Sequence, residues 1–235
     1  MIYVDGASNT YGDELLDPST QAWPIVLGNR LATPVVNNAK KGKSNQHIIF
    51  DTINYCATNS PSRVIIAFAP VDRKFFTRRE NNYPVDISIQ GSNSLYDNAT
   101  EFKEFQKLLF KYWSNYLFST WEFLQGILLL QSFLECRKIP YLMVNSDDQA
   151  NIQNLLTIST QDAIIKNTLL DAFEVMDDSQ ILLVERQINS IYNLINHNTF
   201  YDFSWHFKKL VDFNTHPTAI QHIEISNFIG TLLQK

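Results

Sequence analysis

Short apolar runs and stretches of helical periodicity take turns along most of the chain. Ile2-Tyr3-Val4 is β-branched and aromatic and stops at Asp5-Gly6, which predicts a strand, and apolar positions from Thr20 to Leu31 recur at helical spacing. Pro34-Val35-Val36-Asn37 predicts a second strand. A loop over 38–43 follows, and Ser44 is a predicted N-cap for a helix through Cys56. Arg63 to Phe68 is almost continuously apolar around Val64, Ile65 and Ile66, as a strand covered on both faces must be. A helical stretch from about Thr100 to Lys138, broken near Ser119, leads to Pro140 and a fourth strand candidate, Tyr141 to Asn145.

Strands that alternate with helices predict a three-layer α/β fold. The sheet is expected to be doubly wound and mostly parallel, with a flavodoxin-like order, and its ligand site should lie at the carboxyl ends of the strands. Residues 77–98 are polar and rich in Asn and Ser, with Pro84 and Gly91, and predict a long loop at the rim of that site. Residues 147–209 read mainly as a helical insertion, although Ile181 to Glu185 is also compatible with a fifth strand. The whole of 1–235 is expected to form a single domain.

Composition narrows the class of function. With 45% hydrophobic and 18% charged residues the chain can bury a substantial core, and a net charge of -5 argues against a phosphate-backbone binder, which needs a basic stripe. Nucleic acid is therefore not an expected partner. No basic segment precedes Ile2, and the most apolar run, Gly126 to Leu130, is too short to span a bilayer. A soluble chain, cytoplasmic at synthesis and without a membrane partner, is the expectation. Cys56 and Cys136 lie far apart in predicted helices, which supports neither a disulfide framework nor a four-ligand zinc site and predicts buried thiols.

Candidate chemistry sits near both ends. The segment Gly6-Ala7-Ser8-Asn9-Thr10-Tyr11-Gly12 follows the first strand, but five residues separate its glycines and Asp13 follows, so it is not a Walker loop; it also lacks the middle glycine of a dinucleotide fingerprint. Two readings remain for Ser8. It is either a nucleophile presented on the turn from strand to helix, or a cap for the next helix. Near the other end, His216 precedes Pro217, which suits the first position of a C-terminal helix running to about Leu233. That puts an imidazole on a loop, where a general base can reach a neighbouring loop, and Asp212 is near enough in sequence to orient it. His47, His197 and His206 read as surface or partly buried residues, and His222 as a packing or capping residue of the last helix. Trp113, Phe118, Trp121 and Phe123 read as core by their near-helical spacing.

These segments resemble the SGNH or GDSL hydrolases. Gly6 to Gly12 is similar to the family's first block, with Ala7 where Asp is usual; Asn37-Asn38-Ala39-Lys40-Lys41-Gly42-Lys43-Ser44 is similar to the second; and His216-Pro217-Thr218-Ala219 is similar to the last. The resemblance implies a serine esterase or deacetylase acting on a small-molecule or glycan ester. Ser8 would be the nucleophile, His216 the base and Asp212 the orienting acid, with the backbone N–H groups of Ser8 and Gly42 as the oxyanion hole, and neither metal nor organic cofactor would be needed. An acyltransferase using the same residues, or a non-catalytic SGNH-like binding or structural module, are the alternatives. The third block departs from the family: Ala67-Phe68-Ala69-Pro70-Val71 stands where Gly-x-Asn-Asp is usual. An oxyanion donor is worth about 3 to 4 kcal/mol, so Asn45 or Arg73 would have to substitute. The acid also departs, because Phe213 occupies the third position before His216, leaving Asp212 or Asp202.

Overall fold

The structure, a computed structural model, describes residues 1–71, 73–77, 84–88, 116–145, 178–202 and 216–234. Five strands form an all-parallel sheet: β1 (Ile2–Gly6), β2 (Val35–Asn37), β3 (Arg63–Phe68), β6 (Tyr141–Asn145) and β7 (Phe200–Asp202). Their order is β2-β1-β3-β6-β7, the flavodoxin-like arrangement, with β1 and β3 at the centre. A separate antiparallel hairpin pairs β4 (Arg73–Thr77) with β5 (Pro84–Ser88).

Period-two alternation in the strands sends apolar side chains to both faces, and each face has its own core. Tyr3, Val64, Ile66 and Phe68 pack against α4 (Asn45–Thr58), α5 (Tyr116–Cys136) and Ile188 of α6 (Asp178–Tyr192). On the other face Ile2, Val4, Ile65, Ala67, Leu142 and Val144 meet Trp23 and Leu27 of α3 (Trp23–Arg30) and Ile225 and Ile229 of α7 (Ala219–Leu232). The expected three-layer α/β architecture is therefore the one observed. Among the described residues no helix is long and apolar enough to cross a membrane.

Several local expectations need correction. The helix expected over Thr20–Leu31 is two helices, α2 (Pro18–Gln21) and α3, joined at Ala22. Pro24 has no N–H to continue a helix from α2, while it is tolerated in the first turn of a new one. The rim segment expected as loop over 77–98 begins inside the β4–β5 hairpin, and its residues 78–83 and 89–98 lie outside the described set. From Tyr116 to Cys136 α5 is continuous through Ser119, and residues 100–115 of the expected helical stretch lie outside the described set. Ile181 to Glu185 belongs to α6, and the fifth strand of the sheet is β7, inside the stretch read as helical. Cys56 is buried, as expected, and burial pushes its thiol up to about 11, but Cys136 is exposed at the end of α5.

Candidate active site

β1 delivers the chain to the carboxyl edge of the sheet at Gly6, where only glycine fits: an added Cβ would lie 2.4 Å from Thr10 Oγ1 and 2.9 Å from the Ala67 carbonyl oxygen. The chain then turns sharply, and Ser8 is the first residue of α1 (Ser8–Tyr11), a single turn closed by Gly12 at φ 88°. The residue at the N-cap is Ala7, so Ser8 does not cap this helix. Its side chain is half-buried, and its hydroxyl makes no hydrogen bond among the described residues. The Ser8 carbonyl accepts from the N–H groups of Gly12, at 3.0 Å, and Asp13, at 3.1 Å, which ties the following turn back to it.

α7 brings His216 to the same edge. The helix starts at Ala219, later than Pro217 alone predicts, because Thr218 and Gln221 form a capping box. His216 is thereby left on the approach to the helix, partly exposed. Its Nδ1 lies 3.2 Å from Glu14 Oε1 and its Nε2 lies 3.7 Å from Asp13 Oδ2. Among the described residues no hydrogen bond joins His216 to Ser8. Asp212 lies outside the described residues, as does the side chain of Asp202, whose backbone ends β7.

The loop after β2 supplies the third part of the site. Gly42 has φ 72°, a left-handed conformation that favours glycine, and nothing lies within 4 Å of where its Cβ would be. Lys41, beside it, pairs with Asp13. Asn45, in the first turn of α4, makes a reciprocal pair with Ala69: its Nδ2 donates to the Ala69 carbonyl at 2.8 Å and its Oδ1 accepts the Ala69 N–H at 2.7 Å. Asn45 thus holds the exit of β3, and this orientation does not favour the donor role considered for it. The Arg73 guanidinium donates to the Lys43 carbonyl at 3.4 Å, close to Gly42.

A buried ionic network under this loop escaped the sequence reading. Lys43 is fully buried, with Nζ 2.7 and 2.8 Å from the two Asp5 carboxylate oxygens and 2.8 Å from Asp51 Oδ2. Asp5 also accepts from the Gly6 N–H at 2.7 Å, the Tyr3 hydroxyl at 2.9 Å and Asn38 Nδ2 at 3.1 Å. Burial pushes its carboxyl up, and Lys43, Asn38 and Tyr3 pull against that shift. For Asp51 burial again acts upward, but the Lys43 bond and charge, with His47, outweigh it and hold the carboxyl below its usual range. His47, expected at or near the surface, is buried between Asp86, 2.6 Å from Nδ1, and Asp51, 3.4 Å from Nε2. Asp86 also accepts the Ser44 N–H at 2.9 Å, so the β4–β5 hairpin is fastened to the start of α4. One signal was available in the sequence: a carboxylate in an otherwise apolar first strand must find a cation.

Among the solved structures this chain resembles are TesA, at 13% identity over 99% of this chain and 97% of that one with a TM-score of 0.50, and a carbohydrate esterase whose active site is described as having divergent catalytic and non-catalytic binding functions, at 12% identity over 99% of this chain and 64% of that one with a TM-score of 0.51. A GDSL-like lipase from Bacteroides thetaiotaomicron VPI-5482 aligns at 10% identity over 99% of this chain and 87% of that one, with a TM-score of 0.48. The fold is SGNH hydrolase-like. No protein-family model matches the chain, and no curated protein matches it in sequence.

On the SGNH-like scaffold, the turn carrying Ser8 follows the central strand β1, the Gly42 loop follows the edge strand β2, and His216 precedes the last helix. Where the third block's asparagine would stand after β3, the backbone of Ala69 is held by Asn45. Among the described residues no group of three His, Cys, Asp or Glu side chains is arranged to hold a metal ion. What the arrangement offers instead is a hydroxyl with no hydrogen bond among the described residues, an imidazole on the adjoining turn and an open left-handed glycine on one sheet edge.

Proposed function

We propose that the chain is a serine esterase or deacetylase. The observation that carries this reading is the meeting, at one sheet edge, of the turn bearing the Ser8 hydroxyl with His216, whose ring lies against that same turn. In the reaction, Ser8 Oγ forms a bond to the ester carbonyl carbon while its proton passes to His216; collapse of the tetrahedral intermediate breaks the bond to the alkoxy oxygen, which takes that proton from His216. Water, deprotonated by His216, then releases the acid and restores Ser8. The N–H of Ser8 has no intrahelical acceptor at the first position of α1, and with the Gly42 N–H it forms the proposed oxyanion pair. Arg73 is the proposed third donor in place of the family asparagine. The sequence offers Asp212 or Asp202 as the orienting acid.

An acylated small molecule or carbohydrate is the proposed substrate class, in keeping with the carbohydrate esterase and the lipase among the similar structures. A second reading, a non-catalytic binding module, is favoured by one feature: the Ala69 N–H, at the site of the third block, is already occupied by Asn45. Hydrolysis of nitrophenyl acetate separates the two. Ser8→Ala, which removes only a half-buried hydroxyl, should abolish turnover while leaving the circular dichroism spectrum and unfolding midpoint of the parent. Equal rates for parent and variant would favour the binding module.

A further inference from the structure

We infer that Glu14, from the turn that follows the nucleophile, is the positioning carboxylate of His216. This rests on the hydrolase reading above and changes one of its parts. Of the described carboxylates at the ring, Glu14 is the nearer, in ion-pair contact 3.2 Å from Nδ1, the nitrogen that an orienting acid holds when the other must face a serine. Asp13 is 3.7 Å from Nε2, beyond hydrogen-bond distance, and is already paired with Lys41 from the Gly42 loop. Lys41 neutralises the carboxylate that would otherwise compete with Ser8 for Nε2, and among the described residues Glu14 is left as the partner of Nδ1.

The backbone of the turn points the same way. Glu14 is a non-glycine residue at φ 67°, a conformation that persists only where its surroundings impose it and that clusters at functional sites. Here Gly12 at φ 88° reverses the chain, the Glu14 N–H donates to Asp13 Oδ1 at 3.0 Å, and the Leu15 N–H reaches the Gly12 carbonyl at 3.3 Å. Together these bring two consecutive carboxylates to one imidazole. Because the Asp13 N–H is bonded to the Ser8 carbonyl, the carboxylate that orients the base and the residue that carries the nucleophile belong to one hydrogen-bonded turn. A displacement of the turn would then move Ser8 and His216 together, which preserves their relation. An acid on the approach to α7 would not couple them in this way.

The test compares Glu14→Gln, Glu14→Asp, Asp212→Asn, Ser8→Ala and His216→Gln in the full chain. With nitrophenyl acetate, Glu14→Gln should lower kcat by about 10²-fold with little change in KM, less than the roughly 10⁴-fold of a fully buried triad acid because Glu14 is exposed. Glu14→Asp should recover part of that loss. Independently of turnover, nitrogen-15 NMR of the neutral ring, with the His216 signals identified by their loss in His216→Gln, should show the proton on Nδ1 in the parent and a shift toward the Nε2 tautomer in Glu14→Gln. Kinetics within twofold of the parent in Glu14→Gln, a larger loss in Asp212→Asn, or an unchanged tautomer would each overturn the assignment. Loss of activity in Ser8→Ala beside a fully active Glu14→Gln would leave the hydrolase reading standing without it. A fully active Ser8→Ala would overturn the hydrolase reading itself, and the role of Glu14 in catalysis with it.

Discussion

His222 makes the fold acid-sensitive in a way that can be sized. It is fully buried on α7, where its Nδ1 accepts the Trp23 N–H at 3.0 Å and joins the start of α3 to the last helix. Among the described residues its Nε2 has no hydrogen-bond partner, so none of them compensates a second proton. Burial, reinforced by the charge of His216, lowers its pKa from 6.5 to about 4. A depressed basic group stabilises the fold above its unfolded pKa and loses that stability as pH falls toward the folded one, because the unfolded chain binds the proton first. Between about pH 7 and about pH 5 the unfolded chain takes up about three-quarters of a proton at this site and the folded chain about a tenth of one, which amounts to roughly 2 kcal/mol. His222→Asn keeps an amide oxygen to accept from Trp23 and removes the titration. In urea unfolding, the parent should lose about 2 kcal/mol more than this variant between those pH values, roughly a 1 M difference in how far the midpoint moves. All other titrating groups are common to both proteins and cancel. Equal losses in parent and variant would refute the reasoning.

Three further substitutions test the loop beneath the proposed oxyanion. Lys43→Met should destabilise the chain by about 3 to 5 kcal/mol in urea unfolding, since it leaves Asp5 buried without its cation, whereas Asp5→Asn combined with Lys43→Met should recover much of that loss. A double variant no more stable than the single one would show that the pair is not energetically coupled. Gly42→Ala meets no steric obstacle, so its cost should be only the left-handed backbone, about 1 kcal/mol in the same assay. If Gly42 is the oxyanion glycine, a loss of esterase kcat well beyond that small cost would follow from the displaced N–H.

The sheet was legible because its strands are short, apolar and flanked by turn chemistry. Arg63 to Phe68 was bounded to the residue, and Ser44 does cap α4, its hydroxyl accepting the His47 N–H at 3.2 Å. Legibility failed where a local signal was too brief or was overridden. β7 has three residues and is held to β6 by pairing that no sequence window contains. The β4–β5 hairpin was hidden by the polar residues around it, although Lys74-Phe75-Phe76 within β4 has the aromatic content of a strand. Ring contacts bind that strand to α4, with His47 and Phe75 centroids 4.7 Å apart and Phe50 and Phe75 centroids 5.7 Å apart.

For the site, the residues that a turn demands were easier to read than the residues that hold the turn in place. Gly6, Ser8 and Gly42 stand out because a close approach, a hydroxyl on a strand-to-helix turn and a positive φ each mark the residue type locally. Asp5, Asn38, Lys43 and Asp51 do not stand out, since each is defined by a partner between 5 and 38 positions away. Yet these partners decide whether the Gly42 loop keeps its shape. With Ala7 in place of the usual first-block aspartate, β1 contributes its carboxylate from inside the strand, at Asp5, and the Gly42 loop answers with a buried lysine. Asn45 likewise fastens the exit of β3. The scaffold is SGNH-like at 12 to 13% identity to TesA and the carbohydrate esterase described above, and in this chain its turns are secured by polar partners that no short window of sequence contains.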